Sequence, residues 1–390
     1  MMPSDLDDAL AGSRKLASDP EGSPIYHALQ KEQPYSSPLL HLEMECPEEC
    51  EALYTRVFQK DVAKGNIDPD NLLDGRMRDY LRCEVTVPRV AAVNGIAVGA
   101  NAGGGGGSAD GLTAAEPHIL SHHHRLTLRL PAFMAHLATP LGLVDPSHDD
   151  EAIGPLWDDG TWTGTLMWDS AVHATELLLA SADWRQRLAG TSGGGGGSPG
   201  VRPRRPASVV ELGCGLGLPG LTCHLLGASP VILTDRGMVA DLCRDAVALH
   251  PDVLSGVRAV PLEWSAEGAA AFRHEHLGGA PPDVVLACDC IFAPLFGDAY
   301  LLLEMLLHLC RDGSGAGQGA DGGGAGGGST VALLALERRT DDGAEGFFMQ
   351  AVAAGFSVRL CARHGRVLIC EMEWRRSVES SSESLRDTSS

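Results

Sequence analysis

Apolar residues recur with two different periods in the C-terminal half of the chain. From about residue 208, short apolar runs typical of buried strands alternate with longer segments of helical period. The predicted strands are residues 209–212, 231–234, 257–262, 283–288, 330–336, 357–362 and 367–374. The predicted helices begin at Pro219 and otherwise span residues 238–249, 266–276, 299–311 and 344–354.

The order of these elements predicts the fold class. Strands that alternate with helices are joined by right-handed crossovers and form a parallel sheet. The last two strands break the alternation because only residues 363–366 separate them, and so short a link is typical of a hairpin. A hairpin requires one antiparallel strand. We therefore predict a Rossmann-like α/β fold, with a seven-stranded, mostly parallel sheet whose last strand is antiparallel.

The remainder of the chain is patterned less regularly. A polar N-terminal segment is predicted to be disordered, and three glycine runs read as a linker or as surface loops. The N-terminal region shows a helix at 48–64 and strands at 82–98 and 126–130. The predicted organisation is a disordered segment 1–38, an N-terminal region 39–150 with a glycine-rich linker 103–108, an α/β domain 151–376 with glycine-rich insertions 193–198 and 313–329, and a disordered tail 377–390.

Charge and cysteine content limit the function classes. The 390 residues carry 30 Lys plus Arg against 51 Asp plus Glu, a net charge of −21. We expect no nucleic-acid partner because duplex binding needs a basic surface, whereas a basic protein partner is compatible with this charge. The N-terminus is acidic and has no apolar segment of the kind found in secretory signals, so we expect no such signal. No stretch reaches about 18 consecutive apolar residues, so we expect no membrane span. Eleven scattered cysteines are interpreted as reduced thiols in the cytosol or nucleus.

Two features resemble metal ligands only superficially. The histidines at 122–124 have no acidic or cysteine partner at ligand spacing, so a solvated turn is the favoured interpretation. Cys46 and Cys50 lack both the spacing of a zinc knuckle and a second pair. The sequence therefore predicts no metal site.

A glycine-rich turn follows the first predicted strand of the α/β domain. Gly215, Gly217 and Gly220 satisfy G-x-G-x-x-G, and Asp235 ends the next strand 20 residues after Gly215. Glycines let the backbone turn tightly and let a nucleotide approach, while an acid at this position accepts hydrogen bonds from ribose hydroxyls. These features alone allow a dinucleotide dehydrogenase, and a purely structural turn is a further alternative.

Glu211 changes the balance between these alternatives. It precedes Gly213 by two residues at the strand end, where dinucleotide-binding turns are usually apolar. The spacing E-x-G-x-G-x-G fits an S-adenosylmethionine motif better, and the terminal hairpin matches the sheet of methyltransferases.

Four segments carry a more specific resemblance. Residues 164–171, 211–220, 262–264 and 289–292 make the region from about Trp157 to Trp374 similar to seven-β-strand methyltransferase family 16, the methyltransferase-like protein lysine methyltransferases. The glycine motif is common to methyltransferases broadly, and the two tryptophan-containing segments narrow the family. The resemblance implies the class I methyltransferase fold and S-adenosylmethionine as cofactor.

The resemblance also implies which residues bind the cofactor. Asp235 would hold the ribose hydroxyls, Glu263 and Trp264 would flank the adenine, and Trp168 would help to close the site. Without the resemblance, the two tryptophans would be interpreted as packing residues. The residues implied to line the methionine and ribose portion are Glu211, Gly213, Gly215 and Gly217.

The candidate catalytic residues lie after the fourth predicted strand. Asp289 ends this strand, at the edge where parallel α/β sheets bind ligands. In the family, the same position is the first residue of an acidic-x-x-Tyr pattern. Phe292 stands in place of the tyrosine, which keeps an aromatic wall but removes the hydroxyl. We hypothesise that Asp289 positions the target nitrogen, the alternative being a strand-capping Asp beside a core Phe. Glu337 is a weaker candidate at the same edge.

Three functions remain open from the sequence. The first is an S-adenosylmethionine-dependent methyltransferase that acts on a protein, on lysine. The second is a small-molecule N- or O-methyltransferase that uses the same cofactor. The third is a catalytically inactive binding protein with a methyltransferase fold.

Overall fold

The computed structural model describes ten stretches of the chain. They are residues 6–11, 25, 33–45, 80–88, 121–129, 163–164, 166–190, 205–297, 299–311 and 329–375. The predicted helix 48–64, the linker 103–108, the insertion 193–198, nearly all of the insertion 313–329 and the tail 377–390 lie outside these residues.

Seven strands form one mixed sheet with the order β10-β11-β9-β8-β5-β6-β7. The pairs among β5 to β9 are parallel, whereas β11 is antiparallel to both β9 and β10. This is the strand order of the class I methyltransferase fold and confirms the predicted fold. The strands are β5 (Val209–Leu212), β6 (Val231–Asp235), β7 (Val257–Pro261), β8 (Val284–Cys288), β9 (Val331–Glu337), β10 (Phe356–His364) and β11 (Val367–Trp374).

Helices cover both faces of this sheet. The central strands are therefore buried on both sides, as β9 illustrates with seven buried residues out of seven. Neighbouring residues Val209 and Val210 belong to separate hydrophobic clusters, one on each face. The helices are α1 (Asp169–Ala180), α2 (Ala182–Ala189), α3 (Leu218–Leu225), α4 (Gly237–Ala248), α5 (Ala266–Leu277), α6 (Ala293–Phe296), α7 (Tyr300–Cys310) and α8 (Ala344–Ala353).

A second, antiparallel sheet is formed by the N-terminal strands. Its order is β1 (Tyr35–Ser36), β2 (Leu40–Glu45), β3 (Tyr80–Pro88) and β4 (Ser121–Arg129). The alternate residues of β3 are buried in the same cluster as the α1 side chains. The backbone N–H of Thr127 donates to Nε2 of His250, 2.8 Å away, just beyond α4. This small sheet therefore packs on one face of the α/β domain.

Two features of the N-terminal half differ from the sequence predictions. The histidines at 122–124 lie within β4 and pair with β3, so the predicted turn is wrong, although His122 and His123 are exposed. Residues 6–11 belong to the segment predicted to be disordered, yet they are helical and Leu6 and Leu10 are buried. They are held by packing against the face of the domain opposite the small sheet.

The described residues also bear on metals and membranes. No group of three or more His, Cys, Asp or Glu side chains within them could hold a metal ion. None of the helices described is long and apolar enough to cross a membrane. The nine cysteines among them are free thiols. The cytosolic or nuclear location stays a prediction.

Candidate cofactor and acceptor site

A cavity of about 300 Å³ opens at the carboxyl ends of β5, β6 and β8. Its volume lies within the usual range of ligand pockets. Two of the predicted site residues, Glu211 and Phe292, lie outside its wall. The predicted residues that line it are Trp168, Gly213, Gly215, Gly217, Asp235, Glu263, Trp264 and Asp289.

The glycine turn shapes the floor of this cavity. Gly213, Gly215 and Gly217 have φ values of +57°, +52° and +76°, a conformation that other residues adopt only with strain. A Cβ at Gly213 would lie 2.8 Å from Sγ of Cys290 and 3.4 Å from the ring of Trp264. Glycine at this position therefore keeps the turn open to a ligand.

Asp235 is held in place by the same turn. Its Oδ2 accepts a hydrogen bond from the backbone N–H of Gly215 at 2.8 Å, and its Oδ1 accepts one from the N–H of Arg236 at 2.7 Å. Burial raises the pKa of Asp235, and these two hydrogen bonds oppose the shift. Because each carboxylate oxygen can accept a further hydrogen bond, the arrangement can receive ribose hydroxyls without moving.

Glu211 supports the turn from beneath. Its side chain is buried, and Oε2 accepts a hydrogen bond from the N–H of Gly220, 2.9 Å away near the start of α3. Burial raises the pKa of Glu211 to about 8. The carboxyl group thus contacts the turn and helix that carry the cavity lining, while its side chain stays outside the wall.

Aromatic side chains form two walls of the cavity. Trp264 lies beside the glycine turn, and Glu263 lines the wall next to it. Trp168 immediately precedes α1, and its indole N–H donates to the carbonyl oxygen of Thr163 at 2.9 Å. This hydrogen bond holds the ring of Trp168 between the cavity and a group of side chains around Asp289, Phe292 and Arg339. This group is called the acceptor side.

The acceptor side of the site contains an ion pair between Asp289 and Arg339. From the sequence, a structural ion pair or a solvated loop was the favoured interpretation of Glu337, Arg338 and Arg339, but the pairing with Asp289 was not predicted. Asp289 has φ +55° at the end of β8, a conformation that aspartate tolerates better than most residues. Its Oδ1 and Oδ2 accept hydrogen bonds from Nη1 and Nη2 of Arg339 at 3.1 and 2.8 Å. The Asp289 side chain is 3% exposed. The carboxylate is therefore already paired in a bidentate arrangement.

Two rings and a second acid complete the surroundings of Arg339. Its Cζ lies 5.2 Å from the ring centroid of Trp168 and 5.2 Å from that of Phe292. Its Nη2 also donates to Oε2 of Glu337 at 2.7 Å, and Oε1 of Glu337 pairs with Arg366. Burial raises the pKa of Glu337. Arg339 follows β9 at the ligand-binding edge, and this position was the signal for it in the sequence.

Comparisons with known proteins agree with this geometry. A family model described as lysine methyltransferase matches residues 152–315. Secreted RxLR effector protein 48 of Plasmopara viticola is 30% identical over 139 residues, which cover 34% of this chain and 64% of that protein. Mouse EEF1A lysine methyltransferase 3 is 30% identical over 162 residues, which cover 41% of this chain and 57% of that protein. The chain thus spans about three fifths of the length of these relatives.

A solved structure, the mitomycin 7-O-methyltransferase MmcR, is similar at 14% identity. It has a TM-score of 0.37 and covers 58% of this chain and 59% of its own. The strand order described above, and not this comparison, assigns the fold.

The residues of the cavity fit S-adenosylmethionine, the cofactor that this family implies. A positive-φ glycine turn leaves the floor free of side chains, Asp235 is oriented to accept hydroxyl groups, and Trp264 offers an apolar ring. The glycine turn, Asp235 and Trp264 all lie within the segment that the family model matches. Residues 152–315 of this chain match the lysine methyltransferase family, within a domain of the class I methyltransferase fold.

Proposed function

We propose that this protein is an S-adenosylmethionine-dependent methyltransferase that methylates a lysine side chain of a protein. One observation carries the proposal: the cofactor cavity adjoins a buried acid, Asp289, which together with Trp168 and Phe292 encloses a side-chain cation. An acid beside aromatic faces is the environment that recognises ammonium and guanidinium groups. A protein lysine carries the positive charge that this environment recognises, and it is the acceptor named in the description of the matching family model.

The residues of the chain have separable roles in this proposal. S-adenosylmethionine, when bound, supplies a methyl group activated by its positive sulfur. Asp289 orients the target nitrogen, and Trp168 keeps water away from the boundary between the two sides. Glu337 lies within hydrogen-bond distance of the cation held by Asp289. Because burial raises its pKa, Glu337 is suited to take the proton that the nitrogen must lose.

Calorimetry and methyl transfer test the proposal in two steps. The purified chain is first titrated with S-adenosylmethionine, and absence of binding would contradict methyl transfer to any acceptor. The chain is then incubated with a cell lysate and cofactor carrying a radiolabelled methyl group. Label in protein bands, located on lysine by mass spectrometry, is the expected result. Label only in small molecules would favour a small-molecule methyltransferase. Binding of S-adenosylmethionine without any methyl transfer would favour an inactive binding protein.

Replacing Asp289 tests its positioning role. Because a hydrogen bond to a charged group contributes about 1.5–3 kcal/mol, Asp289→Asn should slow protein labelling by about 10- to 100-fold. The affinity for S-adenosylmethionine should change far less. Asp241→Asn is the matched control, since Asp241 is an exposed residue of α4 that pairs with Arg244. Full labelling by Asp289→Asn would refute the positioning role.

A further inference from the structure

Arg339 occupies the position that a methyl-acceptor cation would need. Its guanidinium lies between the rings of Trp168 and Phe292, with 5.2 Å from Cζ to each centroid. It donates to both carboxylate oxygens of Asp289 and to Glu337. A lysine ammonium would make the same kinds of contact, because it has three N–H donors and is attracted to the faces of aromatic rings.

Arg339 takes up most of the pairing that Asp289 and the two rings offer to a cation. Oδ1 of Asp289 accepts from Arg339 and from the backbone N–H of Glu337, and Oδ2 accepts from Arg339 at 2.8 Å. Both ring faces are in contact with the same guanidinium. A target ammonium can take over this pairing only after the Arg339 side chain has moved away.

The neighbouring Arg338 is held differently from Arg339. The Arg338 side chain is 3% exposed and contacts Asp342, Glu345 and the carbonyl oxygen of Leu10. The Arg339 side chain is 20% exposed, and within the described residues its hydrogen bonds run to the two acids of the site, Asp289 and Glu337. Arg338 therefore holds the loop together, whereas Arg339 can turn outward without breaking it.

We infer that Arg339 is a displaceable stand-in for the target lysine, an inference that rests on the proposed function. The target ammonium exchanges with the guanidinium and takes over its contacts with Asp289, Glu337 and the two rings. Arg339 is thereby a specificity-determining residue, because only an acceptor that binds well enough to expel it is methylated.

Electrostatics couples the exit of Arg339 to the arrival of the acceptor. Asp289 and Glu337 are each 3% exposed at the side chain. If Arg339 left alone, then among the described residues Asp289 would have no side-chain counter-charge at salt-bridge distance and Glu337 would keep Arg366. Removing one partner from a buried ion pair is strongly unfavourable. Replacement of one cation by another avoids this cost.

The test compares Arg339→Ala with the unmodified chain and with Arg363→Ala. Arg363 is an exposed residue of β10 whose Nε donates a hydrogen bond to the carbonyl oxygen of Gly365. Each protein is incubated with radiolabelled S-adenosylmethionine and a dilution series of cell lysate. If Arg339 fills the site nine-tenths of the time, Arg339→Ala should lower the half-saturating lysate concentration by about tenfold. Arg363→Ala should match the unmodified chain.

A second variant is needed because Arg339→Ala removes the cation that pairs with two buried acids and can therefore prevent folding. Arg339→Lys keeps a cation in place and positions an amine where the acceptor would lie. We expect the methyl group to pass from the sulfonium sulfur to Nζ at position 339, with breakage of the S–C bond and loss of one proton from nitrogen. Mass spectrometry should then find one added methyl group at position 339 and none at 363 in Arg363→Lys.

The outcomes separate this inference from the proposed function. A lower half-saturating concentration for Arg339→Ala, or methylation at position 339, supports it. An unchanged or higher concentration for folded Arg339→Ala overturns it while the proposed function stands, provided that the unmodified chain labels proteins. If Arg339→Ala does not fold, unmethylated Arg339→Lys overturns it. Failure of every protein to bind the cofactor overturns both.

Discussion

The cofactor side and the acceptor side of the site are built from different parts of the chain. The cofactor side consists largely of backbone: a glycine turn with positive φ values and an aspartate held by two backbone N–H groups. The acceptor side consists of charged and aromatic side chains, with Asp289 and Arg339 between Trp168 and Phe292. The first is already open to a ligand, whereas the second is filled by a residue of the protein itself.

The difference teaches how the two sides can be perturbed separately. A backbone-built surface is sensitive to any added side chain, since it has no flexible part that can yield. A surface built from ion pairs responds to charge and to pairing, and its stability depends on every partner being present. Variants of one side should therefore leave the other side's readout nearly unchanged.

The largest expected effect is that of Gly213→Val. A branched side chain at φ +57° is strained, and its Cβ would lie 2.8 Å from Sγ of Cys290. We expect the affinity for S-adenosylmethionine to fall by about 100-fold or more, measured by calorimetry. The control is Gly346→Ala in α8, where an added Cβ meets nothing within 4 Å. Normal affinity in Gly213→Val would show that the cofactor does not use this turn.

Asp235→Ala should have the next largest effect. The substitution removes an acceptor for ribose hydroxyls and leaves the N–H of Gly215 without its partner at 2.8 Å. Loss of hydrogen bonds to a charged group corresponds to a decrease in cofactor affinity of about 10- to 100-fold. Asp241→Ala, on the exposed surface of α4, is the matched control. An unchanged affinity for S-adenosylmethionine in Asp235→Ala would show that Asp235 does not bind the ribose of the cofactor.

Glu211→Gln should change stability in a pH-dependent way. Burial raises the pKa of Glu211 to about 8 from an ordinary value of 4.5, so the folded state favours the protonated form. The contribution of this group to stability is complete below pH 4.5 and is lost as pH rises through 8. The amide of Gln still accepts from Gly220 but cannot ionise. Its unfolding free energy should exceed that of the unmodified chain at pH 8 by on the order of 2 kcal/mol.

Urea unfolding at pH 8 and pH 5 measures this effect. The advantage of Glu211→Gln should shrink at the lower pH, because pH 5 lies close to the ordinary pKa of 4.5, so that folding requires Glu211 to take up less of a proton from the unfolded state. An advantage of the same size at both values would show that ionisation of Glu211 is not its cause.

The smallest effect is expected for Phe292→Leu. The substitution keeps apolar volume but removes one of the two ring faces against Arg339. A cation–π contact contributes about 0.5–2 kcal/mol, so the unfolding free energy should fall by about 1 kcal/mol. Because Phe292 lies outside the cavity wall, the affinity for S-adenosylmethionine should stay within about twofold. A large loss of cofactor affinity would mean that the two sides are coupled.

Local sequence was sufficient for most of the α/β fold and for the glycine turn with Asp235, whose role in cofactor binding stays a prediction. The strand predicted at 231–234 is Val231–Asp235, and the helix predicted at 266–276 is Ala266–Leu277. Each depends on apolar periodicity within about a dozen residues, which a reader of the sequence can see. Helices α1 and α2 were not predicted. The solvated turn predicted for the histidines at 122–124 was wrong because pairing with β3 extends β4 through them.

The sequence by itself determined the order of strands and helices, the reversal of the last strand and the glycine turn with Asp235. These properties depend on neighbouring residues and on the conformational freedom of glycine. Only the tertiary structure decided that Arg339 meets Asp289, 50 residues away along the chain, between two rings that come from different elements. The cause is physical: a buried carboxylate must be paired, and which cation reaches it depends on how the strand ends come together.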